Sequence, residues 1–519
     1  MTALRLGVDV GGTNTDAVVV DGSGAVLAWL KVPTTPDPMD GIRAAIQGVL
    51  TDVDRGAIAQ VMLGTTHPTN AIIQRQGLDR VGILRLAAPS SYAVRPGAAW
   101  PADLATAILG PTAIIHGGFE YDGREIAPLD EDAVRRFAAE CAGSVRAIAV
   151  SCAFSPASFD HEDRAAAILA AELGDSVAVT VSHEIGSLGL LEREDAAALN
   201  ASLLDVSRAV VEGLRRALSQ NGLAVAAYLT QNDGTLMTAE QAIRYPVLTL
   251  ASGPTNSMRG ASALAGLSDA LVIDVGGTST DVGILVDGFP RESMHAVEVG
   301  GVRTNFRMPD LISIGMGGGT VVHGSGADIV VGPDSVGYRV VDEALVMGGA
   351  VATLSDVSVK VGRLSGFGDP ALADGLDAAT SDAAIAWVDE QVQVLCDRMK
   401  ASRQALPLIA VGGGSHLVPE RVPGVSEVIK PAHFAVANAY GAAIAEASGE
   451  VDRVYRYDDS SREACLEDAR ALAIEAARKA GADPERTRIT TMTEVPMTYV
   501  PGGGCRVQVK AAGPLAATA

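Results

Sequence analysis

One eight-residue stretch, Asp9-Val10-Gly11-Gly12-Thr13-Asn14-Thr15-Asp16, is written twice in this chain. The second copy runs from Asp274 to Asp281 and differs only in having Ser279 where the first has Asn14. An apolar, strand-like run precedes and follows each copy: Leu4 to Val8 and Ala17 to Val20, then Leu271 to Ile273 and Val282 to Val286. Asp21-Gly22 and Asp287-Gly288 stand where each second strand would turn. A repeat 265 residues apart is too long for a solenoid and suits a duplicated domain. Two half-molecules facing each other are expected.

A strand, a Gly-Gly tip and a second strand make a hairpin whose backbone N–H groups can approach an anion, because glycine lacks the side chain that would block contact. The threonine hydroxyls add donors. An aspartate just before the glycines, Asp9 or Asp274, carries the wrong charge for a phosphate neighbour unless a cation lies between them. The pattern therefore implies Mg²⁺ held through carboxylate and water. Asp16 and Asp281 could orient water or substrate. The formal charge of −22 argues against nucleic-acid and anionic-membrane partners, which are polyanions themselves. The five cysteines have no CxxC spacing, so neither a zinc ribbon nor a disulfide framework is indicated. With no signal-like N-terminus and no run of about 18 apolar residues, a cytoplasmic protein is expected.

Along the chain, strands at 60–63, 81–86, 147–151 and 177–182 alternate with helices at 41–50, from beyond 70 through 76, from beyond 130 to about 142, and at 161–173, which argues for a largely parallel sheet covered by helices. Residues 192–220 read as one long helix joining the two halves. Ser252-Gly253-Pro254 precedes a small-residue helix to Ala265, and a dense glycine loop lies at 315–319. The strand 408–411 ends in Gly412-Gly413-Gly414. Beyond residue 452 a helix and two strands form a tail with a packing or interface role.

The paired hairpins resemble those of the actin/hexokinase superfamily of ATPases, where two such hairpins clamp a triphosphate. That resemblance implies an α/β fold of duplicated actin-like (ribonuclease H-like) domains facing each other across a nucleotide cleft. The expected divisions are 1–190, 191–452 and a small α+β tail over 453–519. Gly412, Gly413 and Gly414 sit where an adenosine-binding turn is expected. More narrowly, the Asp-x-Gly-Gly-Thr-x-Thr-Asp form, Gly64-Thr65-Thr66 through Thr69-Asn70-Ala71, Ser252-Gly253-Pro254 and the 315–319 loop, in this order, are similar to the hydantoinase A/oxoprolinase family. The similarity covers the chain to about residue 450.

That family couples ATP cleavage to opening of hydantoins, 5-oxoproline and lactams, or to ketone carboxylation. The resemblance implies ATP contacts at Gly11, Gly12, Thr13, Asn14, Gly276, Gly277, Thr278, Ser279 and Gly412 to Gly414, with Mg²⁺ at Asp9 and Asp274. Asp9 would hold the metal, and Asp274 would orient or deprotonate the attacking oxygen. His67 is the foremost histidine, as ligand, acid/base or satisfied loop residue; His183 and His416 rank after it. An ATP-dependent hydrolase acting on cyclic amides is the leading expectation. The alternatives are a small-molecule kinase, a ketone-activating carboxylase subunit and a non-enzymatic ATP-driven activator. An oligomer with a second subunit is also expected. Many members of the family run well over a hundred residues longer and carry a Pro-Gly-Pro-Ala-Cys-Tyr-Gly segment. Here Val331 to Arg339 lacks the cysteine and the second proline, so a shortened branch is expected.

Overall fold

The computed structural model describes residues 3–34, 38–293, 297–326, 328–458, 460–498 and 503–516. β1 (Leu4–Val10) and β2 (Asn14–Val20) form the first hairpin; β3 (Val26–Pro33) lies antiparallel to β2, and β4 (Ile58–Thr65) parallel to β1. Central strands of a sheet covered on both faces read as near-continuous apolar runs. Leu6, Val8, Val10 and Val19 pack into one core, while Val18 and Val20 meet Val436, Ala439 and Tyr440 in another.

The chain then leaves to build a separate parallel sheet. β5 (Val81–Ala88), β6 (Leu109–His116), β7 (Ala147–Cys152) and β8 (Ala178–Val181) take the order β6-β5-β7-β8. Of the alternating series expected from sequence, the strands at 81–86, 147–151 and 177–182 lie in this inserted sheet, whereas the strand at 60–63 belongs to the first sheet as β4. The single helix expected over 192–220 is two, Leu190–Ser202 and Leu204–Gln220. The break has a local cause: the Ser202 carbonyl accepts from the Asp79 backbone N–H at 2.9 Å, which takes it out of the helical ladder. Nor does this pair join the halves, for the chain returns to the first sheet with β9 (Ala226–Thr230), parallel to β4, and β10 (Leu236–Thr238).

The crossing to the second lobe is made by the Ser252–Ala265 helix. There β11 (Ala270–Val275) and β12 (Thr280–Val286) form the second hairpin, extended by β13 (Phe289–Pro290). A small hairpin, β14 (Val297–Val299) and β15 (Val302–Thr304), plugs Val299 and Val302 into the core of the inserted sheet beside Ile83 and Leu104. β16 (Leu311–Ile314) returns to β12, and β17 (Thr320–Ser325) pairs with β18 (Asp328–Ser335). β19 (Leu406–Val411) and β20 (Val425–Ile429) complete the sheet, each parallel to its neighbour. The Ala437–Ile444 helix then crosses back. β21 (Ala447–Arg456), β22 (Arg488–Pro496) and β23 (Gly504–Gly513) lengthen the first sheet to nine strands. The first sheet thus draws on residues on both sides of 190 and 452.

From each hairpin outward the order is the same, β3-β2-β1-β4-β9 and β13-β12-β11-β19-β20, with β2 and β12 the antiparallel members. This is the duplicated ribonuclease H-like α/β fold. The two crossing helices touch backbone to backbone. A Cβ on Gly260 would lie 1.9 Å from the Ala437 carbonyl oxygen, and one on Gly441 would lie 1.9 Å from that of Asn256. Only glycine permits that approach. Among the described residues no helix is long and apolar enough to cross a membrane.

Candidate functional site between the two hairpins

Each hairpin closes through one tight turn, Gly11 N–H donating to Asn14 O and Gly276 N–H to Ser279 O, both at 2.9 Å. In each, the two aspartates are cross-strand partners, Asp9 with Asp16 and Asp274 with Asp281. The tips meet: a Cβ on Gly277 would come within 2.7 Å of Thr13 Oγ1 and 2.8 Å of Thr13 Cγ2. Glycine repeats on two different sheets are therefore brought face to face, as the duplication leads one to expect.

Asp9 is 2% exposed. One oxygen accepts from Asn256 Nδ2 at 3.2 Å and the other from Asn438 Nδ2 at 2.9 Å, so each crossing helix supplies one donor. Burial is the main cause that pushes its carboxyl up to about 7, with the Asp16 and Asp274 charges adding to it and the Asn256 hydrogen bond opposing it. Asp274 accepts from the Ser257 hydroxyl, and burial again raises its pKa. Adjacent residues of one helix, Asn256 and Ser257, therefore hold the leading carboxylates of both lobes. Asp16 is bound by Lys31 on β3, whose Nζ lies 2.7 Å from Oδ1 and 2.8 Å from Oδ2. Asp281 faces Ser313 on β16 in the corresponding place and is pushed up to about 6, chiefly by burial.

The other glycine segments gather on the second tip. Gly318 N–H donates to Gly276 O at 3.0 Å, Gly319 N–H to Gly277 O at 2.7 Å and Gly414 N–H to Val275 O at 2.7 Å. Gly412 has φ +85°, and a Cβ there would sit 2.2 Å from Asp274 Oδ1. Gly413 is exposed beside it. Ser335 Oγ, from the segment where the sequence lacks the family's cysteine, donates to Gly277 O at 3.4 Å. Thr278, Ser279, Gly12, Thr13 and Asn14 lie on the tips themselves.

His67 opens the His67–Gln74 helix directly beyond β4. Its Nδ1 is 3.3 Å from the Thr65 hydroxyl, while Thr66 Oγ1 donates to Val10 O at 3.2 Å, which docks this helix start against the first hairpin. Ser252-Gly253-Pro254 forms the first turn of its helix, with Ala251 in the left-handed region at φ +59°. His416 follows the Gly412–Gly414 turn, and burial lowers its imidazole to about 4, which leaves it neutral near pH 7. His183 belongs to the inserted sheet, where Nδ1 pairs with the buried Glu162 at 2.8 Å.

Sequence reasoning missed Lys31, Asn256, Ser257 and Asn438. For Lys31 the signal was present: it lies at the end of the strand that pairs with the hairpin. The two asparagines carry none, since their partner Asp9 lies 247 and 429 residues away in the chain, and Ser257 meets Asp274 only through the packing of its helix on β11.

A family model described as hydantoinase/oxoprolinase N-terminal region matches residues 5–173, and a second, hydantoinase/oxoprolinase, matches residues 193–451. The chain is 27% identical over 467 residues to the caprolactamase subunit alpha of Pseudomonas jessenii, a match covering 85% of this chain and 65% of that protein. It is 27% identical over 399 residues to the acetophenone carboxylase gamma subunit of Aromatoleum aromaticum, covering 69% of this chain and 53% of that one. These matches span between about half and two thirds of the relatives' lengths. The crystal structure of the ATP-dependent caprolactamase of Pseudomonas jessenii superposes with a TM-score of 0.77 at 20% identity, covering 99% of this chain and 88% of that one, and so shares the fold.

Proposed function

Because the chain belongs to the hydantoinase/oxoprolinase family, we propose that it is the nucleotide-dependent component of an enzyme that uses ATP to open a cyclic amide such as a hydantoin, 5-oxoproline or a lactam. One observation carries this: two glycine hairpins on separate lobes meet tip to tip, with paired carboxylates at the base of each, buried in the first and half-buried in the second. Phosphoryl transfer needs positioning and charge neutralisation more than covalent help from the protein. Backbone N–H groups of Gly11, Gly12, Gly276 and Gly277, with the Thr13, Thr278 and Ser279 hydroxyls and the Asn14 amide, would bind the phosphates. The Gly412-Gly413-Gly414 turn would bear on the adenosine.

The carboxylates suit Mg²⁺. Burial holds both Asp9 and Asp274 above the ordinary carboxylate range, and the Asp16 and Asp274 charges raise Asp9 further, an imbalance a nearby cation would relieve. Among the described residues no three acidic, histidine or cysteine side chains close a metal cage; Mg²⁺ is often bound by one or two carboxylates with water and phosphate completing its shell. Bound there by Asp9 and Asp274, it would neutralise phosphate charge.

Asp274 orients the attacking amide oxygen or takes a proton from the attacking group. Asp9 stays fixed by two amide donors. His67, at the helix start beside the first tip, bears on the substrate side. The carbon that bears the phosphorylated oxygen then accepts water; phosphate leaves with its C–O electron pair, and the ring C–N bond breaks with its electron pair and a proton going to nitrogen. Similarity to a ketone carboxylase subunit favours a second reading, in which an enolate oxygen is phosphorylated by the same machinery. A cytoplasmic location and assembly with a second subunit complete the proposal.

The test is ATPase activity against hydantoins, lactams, 5-oxoproline and ketones, with and without a candidate partner subunit. Turnover stimulated by a cyclic amide, releasing phosphate together with the opened ring, is expected. Stimulation by ketones alone would transfer the proposal to the second reading; no stimulation in any combination would remove both.

A further inference from the structure

Four carboxylates, Asp9, Asp16, Asp274 and Asp281, surround the meeting point of the hairpins. Among the described residues, Lys31 is the one cation that forms an ion pair with any of them, its Nζ lying 2.7 Å from Asp16 Oδ1, and its charge also favours the charged forms of Asp9 and Asp274. Lys31 is the cross-strand partner of Asp16, and its side chain is 25% exposed while that of Asp16 is 2% exposed. The ammonium is thus anchored on a buried carboxylate while the side chain that carries it stays partly exposed. The end of its strand is tied to the phosphate tip as well, since Thr34 Oγ1 donates to Gly11 O at 2.8 Å and Thr34 N–H to Thr13 O at 2.9 Å.

The duplication supplies a control. On the second hairpin the residue paired with Asp281 is Ser313, not a lysine. A hairpin identical at seven of eight positions, on a sheet of the same order, therefore forms without a lysine opposite its last aspartate. The fold does not demand the charge at position 31.

We propose that Lys31 is a catalytic residue of the cleft, its ammonium contacting the transferring phosphoryl group, with Asp16 as the positioning residue that presents it. The inference rests on the reading of the cleft as an ATP site. In the step served, the substrate oxygen–phosphorus bond forms as the bond from phosphorus to the bridging oxygen breaks. The electron pair leaves with ADP, and Lys31 keeps its proton throughout. An ammonium aimed at charge that spreads over the phosphoryl oxygens acts on the transition state more than on bound ATP.

The experiment is a double-mutant cycle of Lys31→Met, Asp16→Asn and the double variant in the intact chain. Its readouts are affinity for a fluorescent ATP analogue, single-turnover ATP cleavage and melting temperature. Lys31→Met is expected to slow cleavage about 10²–10³-fold, the range for loss of one preorganised charge-stabilising donor, while analogue affinity falls less than tenfold. Asp16→Asn should slow it less. The double variant should stay as slow as Lys31→Met while its melting temperature recovers, because no unpaired buried charge remains. If the double variant regains wild-type cleavage together with its melting temperature, Lys31 is only the counterion of Asp16 and the inference falls. Wild-type chain that neither binds nor cleaves ATP would instead overturn the ATP-site reading, and this inference with it.

Discussion

The two hairpins share seven of eight residues and one strand order, yet their surroundings have diverged. The first is dressed with side chains: two asparagines grip Asp9 and a lysine grips Asp16. The second is dressed with backbone, for its tip carbonyls are taken up by amides of Gly318, Gly319 and Gly414, and its last aspartate faces a serine. A duplicated motif has thus been divided into a charged partner and a cradle of peptide groups. The difference teaches that the eight residues specify a phosphate-sized turn, while the strands and helices around them decide what that turn contributes.

If the leading aspartates have diverged in the same way, Asp274→Asn should reduce turnover at least 10³-fold with ATP affinity largely retained. That is the signature of an interaction lost only in the transition state. Rapid-quench phosphate release with parallel binding measurements checks it, and wild-type turnover would remove Asp274 from the chemistry. The tips offer a second contrast. A Cβ on Gly12 meets nothing within 4 Å, whereas one on Gly277 strikes Thr13. Gly277→Ala should therefore weaken ATP binding roughly 10-fold or more, and Gly12→Ala should leave it close to wild type; equal effects would show that the tips do not meet in solution.

The smallest effects concern Asp281. Its folded-state value, about 6, lies above the ordinary 3.8, so the folded chain holds this proton more tightly than the unfolded chain does. Stability from this group is full below about pH 4 and declines as pH rises to about 6. Asp281→Asn should accordingly be more stable than wild type at pH 8, by on the order of 3 kcal/mol, and close to it near pH 4. Ser313→Lys, which copies the first hairpin onto the exposed position opposite, should recover less than about 1 kcal/mol at pH 8. Denaturant melts at the two pH values measure both.

Legibility from sequence followed the same division. The hairpins, the Gly412 turn and the duplicated α/β fold could be read because they are local patterns with a physical reason for each residue type. Asn256 and Asn438 could not, because an asparagine in a small-residue helix has no local mark of a partner 247 or 429 residues away. The break at Leu203 was hidden for a related reason: nothing near Ser202 signals that its carbonyl is claimed by Asp79. The strand around residue 60 was visible as a strand, but its neighbour β9, some 165 residues on, is set by tertiary pairing alone.

The crossing of the two glycine-bearing helices has a consequence for how such a molecule can be varied. Residues 266 to 436 leave the first lobe beside Gly260 and return beside Ala437, so the second lobe enters and exits through a single doorway. Topologically it is a cassette set into one loop of its host. Such a cassette could be exchanged between relatives by recombination at two neighbouring joints, provided the small residues of the doorway and the β14–β15 plug travel with it.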